Sequence, residues 1–132
     1  MTPSDPTVLL DTSVLINFMH GKPKPRALLR DLAVRGVTLA VSCISVAELY
    51  GGIRRGEEQA TERLLNSLET IPVTFAIAQQ AGLIRAVQRR LGRTFALDDM
   101  MIAATAILHG YPLITDNRKD FKIPEIELFP EY

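Results

Sequence analysis

The feature that most limits the possible folds of this chain is an alternation of short apolar runs with longer segments of helical periodicity. Runs such as Thr7–Leu10 and Thr38–Val41 are too short for a helix and are typical of buried strands. In the longer segments apolar residues recur every three to four positions, as Ile77, Ala81 and Ile84 do. Strands that alternate with helices indicate βα units, so the sequence predicts an α/β fold with a mainly parallel sheet.

Capping residues and glycines set the limits of the predicted elements. Asp11, Ser45 and Asp98 are each placed to begin a helix, whereas Gly92 and Gly110 are placed to end one. The predicted helices span about 12–19, 26–34, 45–52, 57–69, 76–91 and 98–109, and the predicted strands span 7–10, 38–41, 71–73, 113–115 and 126–128.

The length of 132 residues suits one domain, and we expect residues 1–132 to share a single core. Cys43 is the only cysteine, which excludes an internal disulfide and leaves too few ligands for a structural zinc ion. No apolar run reaches the ~18 residues of a membrane span, and Met1–Pro6 carries no basic side chain typical of a signal peptide. We therefore expect a cytoplasmic protein that does not contact a membrane.

The formal net charge is zero, but the charges are segregated along the chain. Residues 21–36 hold five basic residues and one acid, whereas residues 95–132 hold seven acids and three basic residues. The best candidates for contact with a polyanion are Arg85, Arg89 and Arg93, whose spacing of four residues predicts one stripe along a helix, together with the basic cluster at 22–35. The alternative is that these arginines form an ordinary solvated helix face.

Four acids, Asp11, Glu48, Asp99 and Asp116, lie near predicted strand ends or helix starts. In open parallel sheets, ligands bind in the crevice outside the carboxyl ends of the strands. Carboxylates brought together repel one another unless a cation lies among them, and oxygen ligands suit Mg²⁺, with Mn²⁺ as a substitute. Together the four acids predict a metal site, and Thr12 and Thr115 are placed to hydrogen-bond its ligands.

Each acid also has a structural interpretation. Asp11 can be a helix N-cap, and Glu48 can close a capping box at the start of its helix. Asp99 follows Asp98 in a first helical turn, where the helix dipole favours acids, and Asp116 lies in a turn sequence. Only the ordered set of four favours a site.

The segments that carry the acids match a known pattern over nearly the whole chain; they are Leu9–Ile16, Ser45–Gly52, Asp99–Ala106 and Leu113–Asn117 followed by Asp120–Phe121. They resemble the four acidic motifs of PIN-domain ribonucleases, and especially those of VapC-type toxins of type II toxin–antitoxin modules. The resemblance implies a three-layer α/β/α domain with a mainly parallel central sheet.

The resemblance also implies an activity and partners. It implies an Mg²⁺-dependent endoribonuclease toxin that hydrolyses RNA with a metal-activated water and leaves 5′-phosphate ends. Asp11 and Asp99 are its principal metal ligands and Glu48 supports them. The segment from Arg85 through Gly92-Arg93, a helix with a Gly-Arg turn before the third acid, also resembles the family. A cognate antitoxin protein and a second copy of the chain are the implied partners.

The fourth motif departs from the family's Thr-any-Asp form, because Asn117 stands in the place of the acid and Asp116 precedes it. We favour Asp116 as the fourth ligand, since a neutral amide compensates poorly for a divalent charge. Asp120 is a more distant candidate. The departure leaves open a second interpretation, a catalytically inactive PIN-like module that binds RNA or protein.

A two-histidine ribonuclease mechanism is the main chemical alternative. His20 and His109 are the two histidines, and both fall at predicted helix C-termini, where a cation meets the helix dipole. We interpret both as structural. Ser13 has no histidine nearby in the sequence, which disfavours a serine nucleophile.

Overall fold

The described residues fold around one sheet whose four strands all run parallel. The computed structural model describes residues 6–132; Met1–Asp5, most of the segment in which the sequence predicts no signal peptide, lie outside the described residues. In chain order the elements are β1 (Thr7–Leu10), α1 (Thr12–Met19), α2 (Pro23–Val34), β2 (Thr38–Ser42), α3 (Cys43–Gly51), α4 (Glu58–Asn66), β3 (Glu69–Ile71), α5 (Phe75–Arg90), α6 (Leu97–His109), β4 (Leu113–Ile114) and a 3₁₀ helix (Arg118–Phe121).

The strand order β3-β2-β1-β4 puts β1 in the interior of the sheet. β1 pairs with β2 over four residues and with β4 over two. Because the strands are parallel, the chain leaves β1, β2 and β4 at the same edge of the sheet. The residues just after these strands therefore lie close together, although they are far apart in the sequence.

Helices cover both faces of the sheet. Successive residues of a strand point to opposite faces; Leu9 packs in a buried cluster with α5 and α6, whereas Val8 and Leu10 pack with α1, α2, α3 and α4. The result is a three-layer α/β/α arrangement, which confirms the predicted fold class.

The start of α3 differs from the sequence prediction. Ser45 is predicted to begin this helix, but the helix starts at Cys43, and the Ser42 hydroxyl accepts the Ile44 N–H at 3.1 Å. Ser45 is instead a buried residue inside the helix. The proposed capping box between Ser45 and Glu48 is therefore wrong, because both residues lie beyond the cap.

Three other boundaries move for local reasons. The third strand ends at Ile71 because Pro72, which has no N–H to donate to a neighbouring strand, follows it. α6 begins at Leu97, so Asp98 lies in its first turn and does not cap it. The predicted last strand is reduced to one parallel bridge, between Leu113 and Leu128, because β4 offers it only two residues.

α5 is the longest helix, with 16 residues, and it ends at Arg90. Gly92 follows with a φ of 81°, a left-handed conformation that favours glycine and turns the chain towards α6. Arg93 therefore lies beyond the helix and does not extend the line of Arg85 and Arg89, so the predicted arginine stripe is wrong in its third member. In the described part of the chain no helix is long and apolar enough to cross a bilayer.

Candidate active site

An open cleft lies at the carboxyl edge of the sheet, where the chain passes from β1 into α1. Its lining consists of Asp11, Thr12, Ser13, Ile16, Asn17, Glu48, Asp99 and Asn117. Three of the four predicted acids thus share one surface, and Asn117 contributes to it from the segment after β4. We refer to this surface as the acidic cleft.

Asp11 is the most buried acid of the cleft, with 4% of its surface exposed. Its Oδ2 atom accepts hydrogen bonds from the hydroxyls of Ser13 (2.7 Å) and Thr115 (2.8 Å). Burial raises the pKa of the Asp11 carboxyl, and these hydroxyls with the N–H groups of Thr12 and Ser13 offset the rise only in part. The Thr115 bond ties the end of β1 to the segment after β4, so Asp11 is held in a fixed orientation.

Glu48 is held from α1 by a threonine. The Thr12 hydroxyl donates to Glu48 Oε1 at 2.7 Å and is also hydrogen-bonded to the Ser45 hydroxyl at 2.8 Å. Burial raises the pKa of Glu48, and so do a hydrogen bond with Asp98 and the charges of Asp98 and Asp11, while the Thr12 bond opposes the rise. The carboxylate therefore faces the cleft and serves no capping function.

Among the acids of the cleft, Asp99 has the pKa that is raised furthest above its ordinary value. Burial is the main cause that raises its pKa to about 7. The negative charges that add to the effect belong, in decreasing order, to Asp98, Asp11, Asp120 and Glu48. Since like charges destabilise an ionised carboxyl, the cleft favours either a proton or a cation at this position.

The donor set fits a hard divalent cation. Among the residues from 6 to 132, no lysine, arginine or histidine lines the cleft, so its carboxylates lack a cationic partner there. Within the same range, no three acidic, histidine or cysteine side chains stand close enough to form a ready-made metal cluster. Mg²⁺ does not require such a cluster, because it usually keeps several waters and binds through one or two carboxylates.

The segment after β4 places Asn117 on the cleft and turns Asp116 away from it. The Asp116 carboxylate accepts hydrogen bonds from Asn17 Nδ2 at 2.7 Å and from the Tyr132 hydroxyl at 2.6 Å. The Asn117 N–H donates to the Thr115 hydroxyl at 2.9 Å. The geometry thus favours Asn117 or Asp120 over Asp116 beside the other acids, and Asp116 as fourth ligand stays a prediction without support from this placement.

The three candidate arginines do not form one surface. Arg85 Nε donates to the carbonyl of Phe95 at 2.9 Å, which braces the turn that leads into α6. An Arg93 guanidinium nitrogen lies 3.4 Å from Gln88 Oε1, while Arg89 and Arg93 are both exposed. Arg85 therefore has a structural role that the sequence did not indicate.

The histidines lie away from the cleft. His109 stacks on Tyr111 with 5.2 Å between ring centroids, and His20 Nε2 lies 3.9 Å from Glu57 Oε2. Neither lines the cleft with Asp11, so the arrangement disfavours a two-histidine mechanism there.

Sequence reasoning missed Asn17, Asp98 and Tyr132 as neighbours of the site. Asn17 lies four residues after Ser13 on α1, and residues at this spacing share a helix face, so the pattern could have revealed it. The sequence position of Asp98 is typical of a capping residue, so its interaction with Glu48 could not be recognised from the sequence. The contact of Tyr132 with Asp116 had no local signal, because it depends on the path of the last residues.

The stability of the metal-free protein should depend on pH through Asp99. The folded state keeps a proton on Asp99 up to about pH 7, whereas the unfolded chain releases it at about pH 4. The favourable contribution is complete below about pH 4 and is lost as the pH rises through about 7. We therefore expect Asp99→Asn to stabilise the protein in EDTA more at pH 8 than at pH 5, as measured by urea unfolding. An equal gain at both pH values would contradict the assignment.

Comparison with known proteins identifies relatives over nearly the whole chain. The family model described as PIN domain matches residues 8–125. Ribonuclease VapC10 of Mycobacterium tuberculosis is 38% identical over 110 residues, which cover 83% of this chain and 82% of that protein.

Solved toxin–antitoxin complexes contain chains of similar fold. The VapBC2 complex from Rickettsia felis, bound to a DNA fragment from its promoter, matches with a TM-score of 0.82 and 28% identity, covering 93% of this chain and 97% of that chain. A toxin–antitoxin complex from Klebsiella pneumoniae matches with a TM-score of 0.74 and 30% identity, covering 90% and 94%.

Proposed function

The chain belongs to the PIN domain family, and on this basis we propose that it is a VapC-type endoribonuclease toxin that hydrolyses RNA with the help of Mg²⁺. The observation that carries the proposal is the acidic cleft. Burial raises the pKa values of its carboxyls, repulsion from neighbouring acids adds to the rise at Glu48 and Asp99, and no cationic side chain of the described residues lines it. Such a cleft is suited to a divalent cation and, through it, to a phosphate.

In the proposed reaction Asp11 and Asp99 would hold the metal ion and Glu48 would support them. Mg²⁺ bound there would supply a water of lowered pKa and neutralise charge on the phosphoryl oxygens. The hydroxyls of Ser13 and Thr115 keep Asp11 from turning away when its charge is not balanced. Glu48, held by Thr12, can orient the attacking water or accept its proton.

An external water as nucleophile leaves a 5′-phosphate and a 3′-hydroxyl, in contrast to attack by the ribose 2′-hydroxyl. The partners that we propose are RNA, a cognate antitoxin protein and a second copy of the chain. The antitoxin is supported by the similarity to VapBC and toxin–antitoxin complexes. The second copy rests on the resemblance to VapC-type toxins alone.

A nuclease assay tests the proposal directly. Purified protein is incubated with single-stranded and folded RNA in EDTA, in Mg²⁺ and in Mn²⁺, and the ends of the products are sequenced. Cleavage that needs the metal and leaves 5′-phosphates supports the proposal. RNA binding without cleavage in any metal supports the inactive module instead.

Three variants test which residue supplies the fourth acidic group of the cleft. Asp120 is among the charges that raise the pKa of Asp99, whereas both Asp116 oxygens accept hydrogen bonds elsewhere. We expect Asp120→Asn to raise the Mg²⁺ concentration needed for half-maximal cleavage and Asp116→Asn to leave it unchanged. Asn117→Asp should lower it, because it adds a charge to the cleft. A loss of the Mg²⁺ response in Asp116→Asn alone would restore the assignment made from the sequence.

The exposed arginines should contribute to RNA affinity through phosphates. Removal of one arginine–phosphate interaction reduces the slope of log affinity against log salt by about 0.7 for single-stranded RNA. We expect the change of the two exposed arginines, Arg89 and Arg93, to alanine to lower affinity and flatten this slope, and Arg89→Ala alone to do so in part. Arg63→Ala, an exposed arginine on α4, is the control. A slope equal to that of the wild type would mean that Arg89 and Arg93 are ordinary solvated residues.

A further inference from the structure

A second cavity adjoins the acidic cleft. It has a volume of about 210 Å³, and Ile16 and Glu48 line both it and the cleft. Pockets for drug-sized ligands are usually about 300–1,000 Å³, so this side cavity suits a single small ring system. Because Ile16 and Glu48 line both spaces, a nucleotide with its phosphate in the cleft can place its base beside the side cavity.

The walls of the side cavity combine apolar and polar groups in the way that unpaired bases require. Ile16, Leu49 and Ile53 supply apolar surface, and His20 and Arg54 also line the space. Unpaired bases are held by stacking on rings or guanidinium planes and by hydrogen bonds to their Watson–Crick edges. The side cavity therefore offers groups of each kind to one base.

The Glu57 carboxylate also lines the side cavity. Its Oε1 atom accepts the backbone N–H of Arg54 at 2.8 Å, which fixes the side chain. Its Oε2 atom lies 3.9 Å from His20 Nε2, beyond hydrogen-bonding distance. Carboxylates accept from exocyclic amino groups of bases, as they do from cytosine N4.

We propose that the side cavity binds an unpaired nucleobase with an exocyclic amino group, next to the scissile phosphate, and that Glu57 accepts a hydrogen bond from this amino group. The proposal rests on the proposed RNA hydrolysis and gives that reaction a base preference. Glu57 acts in specificity and takes no part in bond breaking.

The test measures RNA binding, so that it does not depend on cleavage. Short single-stranded RNAs differ at one position, which carries cytidine, uridine or an abasic ribose, and this position is moved along the oligonucleotide. Binding is followed by fluorescence anisotropy in the Asp99→Asn background, which keeps the RNA intact. Stacking and hydrogen bonding of one base should give at least tenfold tighter binding of the cytidine RNA than of the abasic RNA at one position.

Matched variants identify the group responsible. Glu57→Gln should abolish the preference for cytidine over uridine, whereas Glu62→Gln, an exposed change on the same helix region, should retain it. Circular dichroism checks folding, and Ile53→Ala provides a second variant that should weaken binding of the cytidine RNA but not of the abasic RNA. Equal affinity for all three RNAs, or a cytidine preference that survives Glu57→Gln, overturns the proposal. Absence of cleavage by the wild-type protein in Mg²⁺ overturns the proposed function, and the binding result is separate from it.

Discussion

We expect Asp11→Asn and Asp99→Asn each to reduce RNA cleavage in Mg²⁺ by more than about 100-fold while the protein stays folded. Loss of even a supporting group of a metal site commonly costs 10–100-fold in affinity or activity, and these two acids are the proposed ligands. In Asp11→Asn the amide oxygen can still accept from the Ser13 and Thr115 hydroxyls, so the local structure is preserved. Cleavage rates and thermal melts in EDTA measure the two effects.

The thermal melts test the repulsion between the cleft carboxylates, independently of the cleavage assay. Since each substitution removes one of several mutually repelling charges, the metal-free variants should be at least as stable as the wild type. Asp31→Asn, an exposed acid on α2, is the matched control and should retain full activity. An unfolded variant, or one that cleaves at nearly the wild-type rate, would show that the ligand assignment is wrong.

Phe121→Ala should cause a large loss of stability. Phe121 is fully buried in the 3₁₀ helix after β4 and packs in the core cluster that contains α5 and α6. Truncation of a buried phenylalanine to alanine typically costs about 3–5 kcal/mol, because it removes apolar packing and leaves a cavity. Domains are usually stable by only about 5–15 kcal/mol, so urea unfolding should show a clear decrease in midpoint.

Phe75 provides the comparison for this prediction. It is the same residue type on a helix, but 81% of its surface is exposed. Phe75→Ala should change the free energy of unfolding by no more than about 0.5 kcal/mol. If the two variants were destabilised to a similar extent, Phe121 would not anchor the segment that carries Asn117 and Asp120.

The sequence predicted the central strand and the residues that follow it well. β1 has the predicted bounds, and Asp11 lies at its end as expected, because an apolar run and a helix cap are both local signals. Periodicity likewise identified the buried face of α5, with Ile77, Ala81 and Ile84. Burial on one face of an element is encoded locally, so a single sequence can reveal it.

The details that local patterns could not predict depend on distant contacts. Two serines three residues apart, Ser42 and Ser45, could each cap α3, and only packing decides between them. Asp116 and Asn117 are neighbours in a turn, and their directions follow from Asn17 and the last residue of the chain. The distances between carboxylates that are far apart in the sequence contribute to their pKa values. Local sequence patterns do not predict these distances.

The sheet order has a consequence for biosynthesis. The strand made first, β1, completes its pairing only with β4, and Leu9 pairs with Leu113. At a translation rate of about 5–20 residues per second, roughly 5–20 s separate the synthesis of these two strands. Until β4 leaves the ribosome, Asp11 has no bond from Thr115 and the cleft lacks Asn117. A nascent chain that has not yet made β4 therefore cannot complete the acidic cleft, so the cleft forms late in the synthesis of this domain.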